Sequence, residues 1–272
     1  MIVDFAQWSH QGGRETQQDR VDGLAIPELD AQLFVVADGM GGHQGGELAS
    51  QAVIHTVKKR FQKLSWDEDE KEFLVGLCRE AHQEINRIGR ERRLDPHSTG
   101  VFLFLKGHWA WWVHVGDCRL YHFRNGKLLR RTRDHSVAQH LLDLGRIKEE
   151  EMVNHPGQSR LLAGLGGEKN PEPMPGSARV KPGDVFLLCS DGLWTTITMD
   201  EMIAALAQDS LTEAARSLVE VAVARGGKEG DNVSVVLVRV VESQWNSKDE
   251  LIRMGKDLKH FLSNKIGRGE KR

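Results

Sequence analysis

The sequence has little of what marks secreted, membrane-spanning or nucleic-acid-binding proteins. Its 272 residues contain three cysteines, and their odd number and wide spacing argue against a disulfide framework and favour buried thiols in a reducing compartment. No apolar run reaches the roughly 18 residues of a membrane span, and the N-terminus has no basic region before an apolar core. The net charge of −2 favours neither nucleic acid nor an anionic membrane as a partner. We expect a soluble, cytoplasmic, monomeric protein.

What the sequence does contain is a block of helices, a block of strands and a second mixed block. Apolar periodicity predicts helices at 45–63, 67–92, 200–208 and 211–225. Runs of β-branched, aromatic and other apolar residues predict strands at 99–106, 109–116, 119–124, 127–132, 185–190 and 233–241. Separate blocks of strands and helices are typical of a layered α+β domain rather than an alternating βαβ fold.

The segments that connect the predicted strands and helices indicate how the strands pair and where the chain is mobile. The Lys-Gly-His, Gly-Asp and Asn-Gly junctions between the strands from 99 to 132 are typical of hairpin turns and predict antiparallel pairing. Residues 135–176 mix short helical pieces with several prolines and glycines, which indicates a mobile surface excursion.

Four aspartates stand where predicted strands begin or end, each beside a glycine or an asparagine: Asp38, Asp117, Asp191 and Asp231. Any single Asp-Gly is best explained as an ordinary turn, but the recurrence of this context favours a shared purpose. If the strand ends lie along one edge, the carboxylates converge and repel one another unless hard cations hold them. Oxygen ligands without histidine or cysteine select Mg²⁺ or Mn²⁺.

An arginine and a fifth aspartate precede this series, in the stretch GGRETQQDR. The Arg14 guanidinium offers a planar fork of donors that can bind two phosphate oxygens. Taken alone, Arg14 is a surface charge. Beside a metal pair held by carboxylates, Arg14 and Asp19 indicate a site for a doubly charged phosphate.

These motifs together resemble the metal-dependent serine/threonine protein phosphatases of type 2C, in their bacterial form. The resemblance covers about residues 5 to 241 and is carried by RETQQD, VVADGMGG, HVGDCRLY, TRDHS, LLCSDGLW and GDNVSVVLV, in the family's order. It implies an αββα four-layer sandwich, in which two antiparallel β-sheets are flanked by helices. It also implies a catalytic domain at 1–241 with a flap at about 145–175 beside the active site, where substrates could be selected.

The resemblance also implies a role for each aspartate in a centre of two Mn²⁺ or Mg²⁺ ions. Asp38 would bridge the two ions, and the Gly39 carbonyl would bind one of them. Asp191 and Asp231 would complete the other, and Asp19 would orient water beside the ions.

Two more residues take roles by the same resemblance. Asp117, with Asp191, would hold a possible third ion, and Arg14 would anchor the phosphate. A water or hydroxide between two ions would then attack phosphorus in line, while the ions and Arg14 offset charge on the phosphoryl oxygens. The catalytic set is therefore Arg14, Asp38, Asp191 and Asp231.

The sequence departs from the family's pattern at two positions of the site. Gln18 stands where an acidic residue is common, so that metal site has one charge fewer. Met40 stands where animal members carry a histidine that protonates the leaving group, so the general acid is open. His43, His135 and His155 lie closest to the motifs, and each is better explained by a capping or surface hydrogen bond. Of the three, His43 is the one to test as a proton donor.

Two rival interpretations remain beside the metal phosphatase. Cys118 to Arg124 has the Cys-x5-Arg spacing of cysteine-dependent phosphatases, but its intervening residues are bulky, and Asp117 would raise a thiol pKa that must be low. A catalytically weak pseudophosphatase that binds phosphoproteins is the second alternative, favoured by Gln18 and opposed by retention of the aspartates.

The function that the resemblance implies is hydrolysis of phosphoserine and phosphothreonine in proteins. The expected partners are phosphorylated proteins, namely a bacterial Ser/Thr kinase and its substrates, and no nucleic acid. Residues 242–272 exceed the catalytic domain and carry an apolar stripe opposite Lys and Arg, which predicts an amphipathic helix with a basic tail.

Overall fold

A computed structural model describes residues 1–242, apart from the side chain of His43. The predicted amphipathic helix and basic tail therefore lie outside the described residues, apart from position 242. None of the helices in the described range is long and apolar enough to cross a membrane.

Strands and helices alternate in blocks along residues 1–242. The strands are β1 (Ile2–His10), β2 (Asp19–Ile26), β3 (Ala31–Met40), β4 (His97–Ser98), β5 (Gly100–Lys106), β6 (Trp109–Val115), β7 (Arg119–Arg124), β8 (Lys127–Arg131), β9 (Met174–Arg179), β10 (Val185–Cys189) and β11 (Val233–Glu242). The helices are α1 (Gly42–Phe61), α2 (Glu70–Arg92), α3 (Val137–Asp143), α4 (Glu149–Met152), α5 (Asp191–Trp194), α6 (Met199–Leu206) and α7 (Leu211–Gly226).

The strands form two antiparallel sheets. One has the order β1-β11-β10-β7-β8, and the other has the order β2-β3-β5-β6-β9, with the short β4 paired to β3. The first and last strands of the described chain, β1 and β11, pair with each other, and β1 forms one edge of the first sheet.

Three layers of apolar side chains hold the sheets and helices together, and β3 illustrates the pattern. Its residues Leu33 and Val35 pack toward α1 and α2, whereas Phe34 and Val36 pack between the two sheets. Successive side chains of a strand point to opposite faces, so a strand covered on both faces is apolar throughout. A third layer lies between the first sheet and helices α5 to α7. The predicted αββα four-layer sandwich is confirmed.

Local signals fix where several helices begin. The α2 helix starts after Asp69, whose side chain accepts a hydrogen bond from the Glu72 amide at 2.9 Å. The α6 helix starts with a capping box in which Thr198 and Glu201 exchange hydrogen bonds. Such caps satisfy amide groups that have no partner within the first helical turn.

One predicted hairpin is wrong. Gly116-Asp117 does not join a pair of adjacent strands, because β6 pairs with β5 and β9 whereas β7 pairs with β10 and β8. The chain instead passes from one sheet to the other at this junction. Gly116 has φ of +98°, a backbone conformation that glycine adopts without steric cost.

The region predicted as a surface excursion is partly built into the fold. It contains α3 and α4, and its last residues belong to β9, which pairs with β6 at the edge of the second sheet. Isolated bridges also join Leu165 to Ser98 and Leu161 to Ser136. The prolines around β9 obscured this strand, since proline is tolerated at sheet edges but argues against a central strand.

A buried ion-pair cluster fastens β7 to the turn before β10. Asp184 is fully buried, accepts two hydrogen bonds from Arg124 at 2.6 and 2.7 Å, and lies 3.0 Å from His122 Nε2. Burial opposes ionisation of Asp184, but hydrogen bonds from Arg124, His122 and the Lys181 amide outweigh it and lower the pKa to about 2. The carboxylate is therefore a stabilising charge in the folded state.

Replacing Asp184 with Ala should lower the free energy of unfolding by about 3–5 kcal/mol, because Arg124 loses its buried counter-charge and the buried His122 loses its hydrogen-bond partner. Equilibrium unfolding in urea measures the change. Asp209→Ala, at an exposed position, is the matched control and should change stability by no more than about 0.5 kcal/mol.

The same cluster gives a pH dependence of definite sign. A carboxyl whose folded pKa lies below its ordinary value of 3.8 stabilises the protein above that value, and this contribution is lost as pH falls toward 2. The stability difference between wild type and Asp184→Asn should therefore shrink over that interval. A difference that stays constant with pH would contradict the role assigned to the Asp184 charge.

Candidate active site

The predicted site residues meet around one cavity of about 600 Å³ at the edge where the two sheets end. Seven of the eight line it, from five separate parts of the chain: Arg14, Gln18, Asp38, Gly39, Asp117, Asp191 and Asp231. The eighth, Asp19, lies behind this lining and is buried. Ser159 and Leu161, from the predicted flap, complete part of the rim.

Pairing between β2 and β3 sets the first two aspartates beside each other. Asp19 is directly opposite Asp38 in the antiparallel register, where Cα atoms lie about 4.5–5.5 Å apart. The Asp38 carbonyl accepts hydrogen bonds from the Ser98 hydroxyl at 2.9 Å and the Thr99 amide at 2.8 Å. The end of β3 is thus held from both sides, so the Asp38 carboxyl stays at the cavity.

The stretch that ends β3 and begins α1 requires glycine at two positions because backbones meet there. A β-carbon at Gly39 would lie 1.9 Å from the Gly46 carbonyl oxygen, and one at Gly41 would lie 2.3 Å from the Asp95 carbonyl oxygen. Gly41 also has φ of +115°. A side chain is therefore excluded at Gly39 and at Gly41, and both residues line the cavity, where a ligand can reach their backbone.

Burial and repulsion from neighbouring carboxyls raise the pKa of four aspartates at this site. Partial withdrawal from solvent is the largest cause for Asp38 and Asp191, followed for both by repulsion from other aspartates of the cluster, and each pKa lies well above its usual range. Burial raises the pKa of Asp19 to about 6 and that of Asp117 to about 7. Bound cations would offset the repulsion between the ionised carboxyls. The raised pKa values therefore fit a site for metal ions.

Asp19 adds a second observation that fits a metal site. Its Oδ2 atom accepts a hydrogen bond from the buried Ser190 hydroxyl at 2.6 Å, while its Oδ1 atom is buried without a hydrogen-bond partner among the described residues. A buried carboxylate oxygen without a partner is costly. The donor set at the cavity consists of carboxylates and backbone carbonyls, which suits Mg²⁺ or Mn²⁺.

The carboxylates share the cavity without yet forming a closed ligand shell. Within residues 1–242, no three Asp, Glu, His or Cys side chains already surround one point as metal ligands do. Ions that bind here would have to draw the carboxylates inward against their mutual repulsion.

Arg14 lies at the rim of the cavity. Its Nη2 atom donates to Asp231 Oδ2 at 2.7 Å, and the two side chains are 57% and 39% exposed. Exposed ion pairs contribute little to stability, so the guanidinium can exchange this partner for a phosphate at low cost.

Gln18 binds protein rather than pointing freely into the cavity. Its Nε2 donates to the Gly42 carbonyl at 2.9 Å, and its backbone carbonyl accepts the Gly39 amide at 3.2 Å. The Gln18 side chain, which stands where the family commonly has an acidic residue, therefore holds the first residue of α1.

The other candidate groups make local contacts. His135 contacts the backbone of Gly116, and His155 Nδ1 accepts the Gly157 amide at 2.9 Å. The Cys118 thiol is fully buried, and burial followed by repulsion from nearby carboxylates raises its pKa well above the usual range. A cysteine-phosphatase mechanism needs an accessible thiolate and does not fit this site.

Two residues that touch the site were not singled out from the sequence. Ser190 holds Asp19, and Asn232 contacts the loop that carries Arg14. Their positions directly beside Asp191 and Asp231 were the available signal. Their partners lie more than 170 residues away in the chain, so the contacts follow from the tertiary fold.

The sequence pattern of the family described as protein phosphatase 2C matches residues 6–221. "Serine/threonine protein phosphatase PstP" of Mycobacterium tuberculosis is 34% identical over 227 residues, covering 82% of this chain and 43% of that protein. The chain thus spans less than half of that relative's length. "Serine/threonine phosphatase stp" of Listeria welshimeri is 31% identical over 241 residues, covering 86% of this chain and 94% of that protein.

Solved structures agree with these sequence relatives. A crystal structure of M. tuberculosis PstP has a TM-score of 0.80 at 32% identity and covers 89% of this chain and 100% of that one. A structure of the PstP catalytic domain in complex with two manganese ions has a TM-score of 0.76 at 33% identity, covering 88% and 99%. On this likeness and the match over residues 6–221, the chain belongs to the protein phosphatase 2C family.

Proposed function

We propose that this protein hydrolyses phosphoserine and phosphothreonine in proteins, with Mn²⁺ or Mg²⁺ as cofactor. The observation that carries the proposal is the cluster of carboxyls with raised pKa at a cavity whose rim holds an exposed arginine. An anionic site repels phosphate, so the cluster suits this substrate when cations are bound.

The residues of the cavity divide into those that would hold ions and one that would hold substrate. Asp38 and the Gly39 carbonyl would hold ions on one side of the cavity, and Asp191 and Asp231 would hold them on the other. Asp117, beside Asp191 in the same lining, would hold a possible third ion.

Arg14 would bind two oxygens of the phosphate, and Asp19 would orient the attacking water from behind Asp38. When bound, two divalent ions make water nucleophilic near neutral pH and offset negative charge on the phosphoryl oxygens. Attack would form the bond from the water oxygen to phosphorus and break the bond from phosphorus to the serine or threonine oxygen. Of the two water protons, one would end on that leaving oxygen, which departs as the hydroxyl, and the other would stay with the phosphate product.

The partners we propose are phosphorylated proteins, including a Ser/Thr kinase and its substrates. Support comes from relatives named serine/threonine phosphatases and from a rim built partly by Ser159 and Leu161 of the proposed flap at 145–175. Because these two residues line the cavity, we expect residues that flank a phosphorylated side chain to contact this segment, which would then influence substrate choice.

Removing one cavity carboxylate should abolish metal-activated turnover. For metal-stripped protein titrated with Mn²⁺, we expect saturable phosphate release from a phosphothreonine peptide. Asp191→Ala should lower kcat by about 100- to 1000-fold, because charge that develops on the phosphoryl group loses its stabilisation. Asp200→Ala, an exposed aspartate in α6, is the matched control and should activate normally.

Release that persists in excess chelator would contradict the metal requirement. Wild-type protein that binds Mn²⁺ and the phosphopeptide without releasing phosphate would instead indicate the alternative, a phosphoprotein-binding pseudophosphatase.

Loss of the Arg14 fork should weaken substrate binding. Arg14→Ala should raise KM for the phosphopeptide by about 10- to 100-fold at saturating Mn²⁺, since a hydrogen bond to a charged group contributes about 1.5–3 kcal/mol. Arg14→Lys keeps the charge without the planar fork and should lie between. Arg216→Ala removes an exposed arginine of α7 and should leave KM unchanged. Equal KM values for all variants would exclude Arg14 from phosphate binding.

A further inference from the structure

The loop between β1 and β2 carries Arg14 and lies directly on the segment that leads into β11. The Gly13 amide donates to the Gly230 carbonyl at 2.9 Å. A β-carbon at Gly12 would lie 2.0 Å from the Asp231 carbonyl oxygen, and one at Gly13 would lie 2.2 Å from the Lys228 carbonyl oxygen. The two backbones therefore touch, and a side chain at either glycine would separate them.

Asn232 fastens this loop through its side chain. Its Nδ2 atom donates to the carbonyls of Gln11 at 2.7 Å and Thr16 at 3.0 Å, and its Oδ1 atom accepts the Gln18 amide at 2.7 Å. The side chain is 5% exposed, so these bonds are shielded from water. Asn232 uses both donor hydrogens and one acceptor to hold both ends of the loop around Arg14.

The fastening reaches Arg14 through one further bond. Gln11, whose carbonyl is held by Asn232, donates its own side-chain amide to the Arg14 carbonyl at 2.6 Å. On the other side, the Asn232 backbone amide donates to Asp231 Oδ1 at 2.8 Å. One residue thus contacts the proposed phosphate-binding loop by its side chain and a proposed metal ligand by its backbone.

We propose that Asn232 is a positioning residue that sets Arg14 at the correct distance from the metal-binding carboxylates. The inference rests on the proposed phosphatase function. Its side chain acts on the arginine side of the site, and its backbone amide, which every substitution at 232 other than proline retains, acts on the carboxylate side. Substitution should therefore weaken phosphate binding while leaving metal activation nearly unchanged.

The test is a double-mutant cycle between Asn232→Ala and Arg14→Ala at saturating Mn²⁺. Asn232→Ala should raise KM for a phosphothreonine peptide by about tenfold in the wild-type background, because a misplaced guanidinium loses its charged hydrogen bonds. In the Arg14→Ala background it should raise KM by less than about twofold, since there is no longer an arginine to position. The Mn²⁺ concentration for half-maximal activation should stay within about twofold in all variants.

Two further variants separate positioning from loss of stability. Asn232→Asp keeps the side-chain shape and the acceptor for the Gln18 amide but removes the donors to Gln11 and Thr16, so its KM should also rise. Asn86→Ala removes another partly buried asparagine, which donates to the Gly167 carbonyl, and should lower the melting temperature without raising KM. Equal KM increases by Asn232→Ala in both backgrounds, or no increase in either, would overturn the proposal.

A readout independent of turnover keeps this inference distinct from the proposed function. Calorimetric titration of inorganic phosphate into Mn²⁺-loaded protein should show the same pattern, with weaker binding in Asn232→Ala than in the wild type and little further loss when Asn232→Ala is added to Arg14→Ala. If the wild type binds phosphate but releases none from a peptide, the proposed function fails while the positioning of Arg14 is still tested. Phosphate affinity unchanged by Asn232→Ala would reject the positioning role.

Discussion

Repulsion among carboxyls at the edge of the two sheets is the constraint on which the site depends. Asp19 and Asp38 face each other across β2 and β3, and Asp117 and Asp191 approach from the other sheet. The surrounding fold has to hold these groups together against their charge. The three apolar layers that fix the strands supply that rigidity, because packed cores resist the small movements that would relieve the repulsion.

The same constraint explains why the site sits at a junction between sheets. Each aspartate lies within two residues of a strand end, and four of the five line the cavity. At Gly116-Asp117 the chain leaves one sheet and enters the other, so this turn aims Asp117 while it joins the layers. The path of the chain between the two sheets therefore also determines where Asp117 lies in the site.

Sequence patterns predicted the buried strands of this arrangement and the edge strand β8, but missed the other edge strands, β1, β2 and β9. Strands β5, β10 and β11 are apolar on both faces, so their composition identified them and the layers they form. The β1 strand is largely exposed and β9 contains a proline, so neither carries the apolar signal of a covered strand. Gly-Asp resembled a hairpin turn because local turn chemistry does not encode which sheet the next strand joins.

Recurring aspartates were visible in the sequence, whereas the groups that aim them were not. A carboxylate beside a glycine has a local signature, but Ser190 and Asn232 act through partners across the fold. Asn232 hydrogen-bonds both to Asp231 and to the loop that carries Arg14. These bonds hold the loop of the positive guanidinium at a set distance from the negative carboxylate. A site proposed to bind cations and a phosphate together needs such a separation, because the guanidinium has to reach phosphoryl oxygens without competing with the cations for the carboxylates.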